Sequence, residues 1–178
     1  MDNFREESVS KVSTGLNTML YVLSFIGMVF FGFIALLNFM SIINGNFSIP
    51  AIIMALIFGG LAYGCFVARN NQRIEYDYTF TNGILDVAKV INNKKRKRLL
   101  STNVRDFEII APTSEEGFQR MLNHKGIEKK HNYFLNPGGG LYYGLFIHEG
   151  KKSMIVFEPS QKMVEMFKIY NPRNVKVQ

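Results

Sequence analysis

Five consecutive cations form the main candidate binding site in this sequence of 178 residues. Ammonium and guanidinium groups at this density attract phosphate and carboxylate groups, so anionic lipid headgroups, nucleic acid and acidic protein segments are the candidate ligands. Aromatic residues are not interleaved with the cations, which argues against the stacking mode of proteins that bind single-stranded nucleic acid. The alternative is a solvated hairpin tip that binds nothing in particular. The cations are Lys94, Lys95, Arg96, Lys97 and Arg98.

Residue types that usually catalyse reactions or bind metals occur here without the required spacing. The three histidines, His124, His131 and His148, lie 7 and 17 residues apart, which fits no metal-binding motif. The glycines at 138–140 lack the Lys-Ser/Thr pair of a phosphate-binding P-loop, and the sequence has no GxSxG motif. We therefore predict a protein that is not an enzyme, with no catalytic residue, no metal and no cofactor.

Charged residues are distributed unevenly along the chain. None occurs from Val12 through Ala68, whereas the residues from Arg69 onward include 19 Lys or Arg and 11 Asp or Glu. This second part has a net charge of +8 and, at about 110 residues, suffices for one small domain. The single cysteine, Cys65, excludes an internal disulfide bond.

The uncharged part contains two long apolar runs, residues 19–43 and 49–67. At about 1.5 Å per residue, each run can cross a hydrocarbon core of roughly 30 Å as a helix. Neither run has the polar face that a helix of a soluble bundle carries. The first run is also too long for the apolar region of a signal peptide, and no A-x-A cleavage site follows it. We predict a transmembrane helical hairpin.

Cations flank the outer ends of this hairpin. Arg5 and Lys11 precede the first span, Arg69 and Arg73 follow the second, and the connection at 41–48 has none. Because short cytoplasmic segments are enriched in Lys and Arg, we expect both termini in the cytoplasm. The chain is then a multi-pass protein of the inner (plasma) membrane, and residues 1–18 form a cytoplasmic segment.

Small residues recur at four-residue spacing in the second span. Ala55 with Gly59, and Gly60 with Gly64, form two small-xxx-small pairs that allow two helix backbones to approach closely. We expect them to pack the two spans against each other, with a homodimer as the alternative. The spans contain no acidic residue or histidine, which argues against an ion-coupled transporter.

The charged part has a strand pattern that ends in a helix. Apolar residues alternate with polar ones from Ile74 to Phe80, and Asn82-Gly83 is a preferred hairpin turn. The last apolar residues repeat at helical spacing after Pro159. Between them we predict strands at 84–91, 99–104, 107–110, 141–148 and 153–157, and an inserted helix at 113–124 that starts from a Thr113/Glu116 capping box.

Antiparallel hairpins over about a hundred residues with one closing helix favour a pleckstrin-homology (PH)-like barrel. The segments YDYTFTNGILDV and KKRKRLLSTNVRDFEI, after two spans, resemble the bacterial membrane-anchored PH-like proteins. The longer EYDYTFTNGILDVAKVINNKKRKRLL is similar to an uncharacterised family of small two-span membrane proteins of low-GC Gram-positive bacteria. The resemblance covers residues 74–110 and implies architecture, with no activity to transfer.

The sequence therefore predicts an α+β membrane protein. Its N-terminal two-helix transmembrane hairpin is followed, at 74–178, by a small antiparallel β PH-like barrel capped by a C-terminal helix. We expect a membrane-anchored binding or scaffolding module that can contact anionic lipid headgroups through residues 94–98, and no nucleic acid. The alternative is a structural accessory subunit of a larger membrane complex, with an unidentified protein partner.

Overall fold

The structure, a computed structural model, describes residues 3–12, 14–45, 47–138 and 140–177. It divides into two compact units. One unit combines the chain up to Val12 with the chain from Glu75 onward, and the segment between them forms the other. The first unit thus contains both ends of the sequence.

The middle segment consists of two long helices, α1 (Gly15–Ile43) and α2 (Ile49–Asn71). Each helix begins at a side-chain cap: the hydroxyl of Thr14 accepts from the Asn17 N–H, and that of Ser48 from the Ala51 N–H. Mean hydropathy reaches 2.5 in α1 and 2.2 in α2. Both helices are therefore long and apolar enough to cross a membrane, and they contain the predicted spans 19–43 and 49–67.

The first sheet has four strands, β1 (Phe4–Ser10), β2 (Ile74–Thr81), β3 (Ile84–Ile91) and β4 (Lys95–Asn103), in the order β1-β2-β3-β4. The turn after β2 is the predicted Asn82-Gly83 pair, and both residues have the positive φ that a tight hairpin turn requires. Asn92 and Asn93, also at positive φ, make the turn before β4. Strands β2 and β3 agree with the strands predicted from the sequence, whereas β1 was not predicted.

Strand β1 is antiparallel to β2 over seven residue pairs, from Phe4 opposite Thr81 to Ser10 opposite Glu75. In the sequence these two strands flank the two helices. The whole helical segment is therefore the connection between two neighbouring strands of one sheet.

Glu7 of β1 joins this strand to the last helix, α4 (Gln161–Tyr170). Its carboxylate accepts hydrogen bonds from the Ser160 N–H at 3.0 Å, from the Ser160 hydroxyl and from Arg5. Burial alone would raise the pKa of Glu7, but the hydrogen bonds from Ser160 and Arg5 outweigh it and hold the pKa below its ordinary value. Ser160 is the N-cap residue of α4, so the charged Glu7 carboxylate fixes β1 against the start of that helix.

The second sheet contains β5 (Phe107–Pro112), β6 (Lys129–Tyr133), β7 (Tyr142–His148) and β8 (Lys151–Phe157), in the order β5-β7-β8-β6. A turn of 3-10 helix, Val104–Asp106, joins the two sheets along the chain. Pairings β5 with β7 and β7 with β8 are antiparallel, whereas β6 runs parallel to β8. The α+β fold class is confirmed, but the strands form two four-stranded sheets rather than one closed antiparallel barrel.

The inserted helix, α3 (Glu116–Leu122), is shorter than the predicted 113–124. Thr113 does not cap it, because the Thr113 hydroxyl donates instead to the Leu141 carbonyl at 3.3 Å. Glu115 occupies the cap position without a side-chain hydrogen bond. The cap position therefore lies two residues later than the capping-box pattern predicts, and the helix begins at Glu116 instead of residue 113.

Helix α4 closes the main core, as predicted. Its residues Met163, Val164 and Phe167 are fully buried. The Phe167 ring packs at 5.2 Å from Phe80 of β2 and at 6.2 Å from Phe157 of β8, measured between ring centroids. One helix thus contacts both sheets through a single aromatic side chain.

Candidate functional site

The five cations lie at the β3–β4 hairpin, at the edge of the first sheet. Lys94 belongs to the turn, whereas residues 95–98 begin strand β4. Four of the five cations therefore lie in a strand, whereas the sequence predicted this strand to begin only at residue 99. Asn92 and Asn93 have the positive φ of a tight turn, so the chain is extended again from Lys95. All five side chains are exposed.

The register of β4 divides the cations between the two faces of the sheet. Arg96 pairs with Val90 and Arg98 with Ala88, whereas Lys97 pairs with Lys89 and Lys95 with Ile91. Because successive side chains of a strand point to opposite faces, the two arginines share one face and the two lysines the other.

The two arginines are ion-paired within the sheet. Arg96 lies 3.5 Å from Asp77, which is nearly buried, and 3.4 Å from Glu6, measured between guanidinium nitrogens and carboxylate oxygens. Arg98 lies 3.9 Å from Asp86. Ser8 also donates to Asp77 at 2.7 Å. The guanidinium groups therefore neutralise carboxylates of β1, β2 and β3 on the outer face, and they are poor candidates for an external anion.

The lysines of this hairpin have no such partner among the described residues. We call Lys89, Lys94, Lys95 and Lys97 the lysine cluster; within the described ranges none of them is ion-paired with Asp or Glu. Lys89 and Lys97 are direct partners in the ladder. Like charges at directly opposite positions destabilise a sheet. An anion bound between them would remove this repulsion, so the geometry favours anion binding at the lysine cluster.

Lys89 is the residue of this cluster that the sequence analysis missed. It lies outside the run of five, in the middle of a strand with apolar neighbours. The signal that could have found it is the Asn92-Asn93 turn, because a hairpin about this turn brings residues 89 and 97 opposite each other.

The predicted helix-packing residues lie on two different faces of α2. The contacts with α1 are made by Phe58, whose ring stacks on Phe31, by Ala62 near Gly32 and by Cys65 near Gly27. Ala55 and Gly59 are partly buried near this face.

Gly60 and Gly64 lie two residues beyond Phe58 and Ala62, about 200° around the helix at 3.6 residues per turn. Both are exposed, and a Cβ at either position would meet nothing within 4 Å. This pair is therefore directed away from α1. The close approach within the hairpin is instead made by Gly27 of α1, where a Cβ would lie 3.0 Å from the Cys65 sulfur.

Arginines and aromatic rings meet where α1 begins and α2 ends. Arg69 donates two hydrogen bonds to the Tyr21 hydroxyl, at 3.2 and 3.0 Å, and its guanidinium lies 5.0 Å from the centre of the Phe25 ring. Arg73 lies 4.3 Å from the Tyr21 ring centre. Tyr and Arg are typical of the ends of membrane spans, where an apolar stem meets water.

Histidines and carboxylates form no metal centre in the part of the chain that the structure describes. His131 contacts the Tyr133 hydroxyl through Nδ1 at 3.1 Å. Burial, with Lys129 and His148 nearby, lowers the pKa of His131. This histidine is therefore neutral at physiological pH and has a structural hydrogen-bond partner.

The chain matches the model of a known protein family. The family model described as "Bacterial PH-like domain (DUF6106)" matches residues 1–177. No curated protein and no solved structure matches the chain. The matched range includes β1 and both long helices as well as the two sheets.

Proposed function

The chain belongs to the bacterial PH-like domain family (DUF6106), and on this premise we propose that it is a membrane-anchored binding module. In this proposal α1 and α2 cross the inner (plasma) membrane with both termini in the cytoplasm. The PH-like domain binds anionic lipid headgroups of the cytoplasmic leaflet through the lysine cluster. The protein has no catalytic activity of its own.

The observation that supports this proposal best is the separation of the cations into two sets. The arginines of β4 are bound to carboxylates, whereas four lysines, two of them direct cross-strand partners, are free of ion pairs in the described residues. A lysine beside an anionic leaflet contributes on the order of 1 kcal/mol. Four such lysines suffice to hold a domain that is already tethered.

The tether raises the local concentration of the domain at the membrane. Only residues 11–14 separate β1 from α1, and only Gln72 and Arg73 separate α2 from β2. A short linker makes a second binding event effectively intramolecular, at millimolar effective concentration. Individually weak contacts with lipid headgroups are therefore enough for occupancy.

Chemical labelling of lysines tests the proposal with the full chain in lipid nanodiscs. We expect anionic lipid to slow acetylation of Lys94, Lys95 and Lys97 severalfold relative to nanodiscs of zwitterionic lipid, because a bound phosphate shields the amines. Mass spectrometry measures the rate at each site. High salt should abolish the difference, since the Debye length falls to about 3 Å at 1 M.

Three exposed lysines elsewhere in the domain serve as internal controls, and their rates should not depend on lipid charge. They are Lys125, Lys162 and Lys168. Equal rates for the cluster in both lipids, or equal protection of the control lysines, would refute headgroup binding by the cluster.

A structural role in a larger membrane complex is the second candidate function. It is favoured by the open face of α2, where Gly60 and Gly64 leave room for another helix backbone. Cysteine crosslinking from position 60 in native membranes distinguishes a second copy of this chain from a different protein. Without any crosslinked product, this candidate would be excluded.

A further inference from the structure

A cavity lies between α3 and the outer face of the second sheet, away from the lysine cluster. Its volume is about 350 Å³. The floor is apolar and comes from Ile109 of β5 and from Tyr143 and Leu145 of β7, with Met121 of α3 on the side. The remaining lining residues, most of them charged, surround the opening: Glu115, Glu116, Gly117, Arg120 and Lys176.

The Tyr143 hydroxyl is the polar group at this floor. The residue is only 1% exposed, yet its hydroxyl makes no hydrogen bond within the described residues. Burial, with the Glu115 carboxylate nearby, raises the pKa of Tyr143, so the hydroxyl stays protonated. A polar group of a ligand in the cavity can therefore hydrogen-bond to this hydroxyl.

Gly117 keeps the space beside this hydroxyl open. A Cβ at position 117 would lie 3.2 Å from the Tyr143 oxygen, closer than an ordinary van der Waals contact. The absence of a side chain in α3 at this point therefore leaves room for a ligand group to reach the hydroxyl.

The charges at the opening leave one guanidinium available. Lys176 pairs with Glu115 at 3.0 Å, whereas Arg120 has no ion pair within the part of the chain described. Glu116, one helical turn from Arg120, has no ion pair among the described residues either. A guanidinium binds a carboxylate through two parallel hydrogen bonds, a geometry that favours a planar anion at Arg120.

We propose that this cavity binds a small carboxylic acid with an apolar body. The carboxylate would pair with Arg120, the body would lie on Ile109 and Leu145, and a polar substituent could reach the Tyr143 hydroxyl. Ligand pockets usually measure about 300–1,000 Å³ and combine an apolar lining with a few polar groups. This cavity is at the low end of that range, which fits a single aromatic ring or a short alkyl chain.

Fluorine NMR with 4-fluorophenylacetate tests the site on the full chain in zwitterionic nanodiscs, with empty nanodiscs to measure partition into lipid. We expect saturable binding. Arg120→Gln should weaken it about tenfold, because the substitution removes one charged hydrogen-bonded pair. Gly117→Val, which fills the space beside Tyr143, should abolish it. The exposed Arg173 is the matched control, and Arg173→Gln should leave the affinity unchanged.

The probe 4-fluorophenethylamine has the same ring with the opposite charge and should bind at least tenfold more weakly. Equal binding of the amine, or no saturable binding of the acid beyond that of empty nanodiscs, would overturn the proposal. So would an Arg120→Gln variant whose affinity matches that of Arg173→Gln.

Discussion

A variant in which residues 11–74 are replaced by an Asn-Gly turn is expected to be soluble and folded. The reason is the register of the first sheet, in which Ser10 and Glu75 are the last partners of the β1–β2 ladder. A two-residue turn can close an antiparallel pair at this point. The main core lies outside the deleted segment, since its buried residues run from Tyr76 to Val175. Ultracentrifugation without detergent and amide exchange of β2 measure the two properties.

The matched control is a fragment that starts at Glu75 and therefore lacks β1. It leaves one edge of β2 unpaired and removes the Glu7 carboxylate from Ser160. Loss of the β1–β2 ladder and of the Glu7–Ser160 hydrogen bonds should destabilise it by several kcal/mol relative to the variant with the turn. If both proteins show the same protection of β2 from exchange, β1 is not part of the sheet.

Replacing Phe167 by alanine is expected to lower the free energy of unfolding of the PH-like domain by about 3–5 kcal/mol. This ring is fully buried and contacts Phe80 and Phe157. Its removal leaves a cavity where α4 joins the two sheets. Since the total stability of a small domain is about 5–15 kcal/mol, a large part of the variant should be unfolded in mild denaturant. Urea titration of the full chain in detergent, followed by brief proteolysis, gives the change.

Ile169 is a control on the same helix, because its side chain is exposed. Ile169→Ala should change the free energy of unfolding by no more than about 0.5 kcal/mol. If the two variants are equally stable, α4 does not close the core in the way described.

Most of the domain could be predicted because its strands bury one face. The alternation from Ile74 to Phe80 and the Asn-Gly turn are local signals, and the structure confirms both. Strand β1 lacks this signal, since only Val9 among its inward residues is apolar, beside Arg5 and Glu7. Its partner strand also lies about seventy residues away, and a pairing over that distance has no local sequence pattern.

Side-chain partners were the less predictable part of the candidate site. The run at 94–98 predicts five equivalent cations, but pairing with β3 directs Arg96 towards Asp77 and Glu6. It leaves the lysines without an ion pair among the described residues. This division depends on strand register, which composition does not determine. Likewise, the spacing of Gly60 and Gly64 predicts a close helix contact without specifying which helix is contacted.

Cysteine accessibility in intact cells tests the central claim, a PH-like domain anchored at the cytoplasmic face by two spans, most directly. In a Cys65→Ala background, one variant has Phe47→Cys in the connection between the helices and the other has Lys125→Cys in the domain. We predict that a membrane-impermeant maleimide labels position 47 in intact cells and position 125 only after lysis, with both proteins in the membrane pellet. Labelling of position 125 in intact cells, or recovery of the full chain in the supernatant without detergent, would contradict the account.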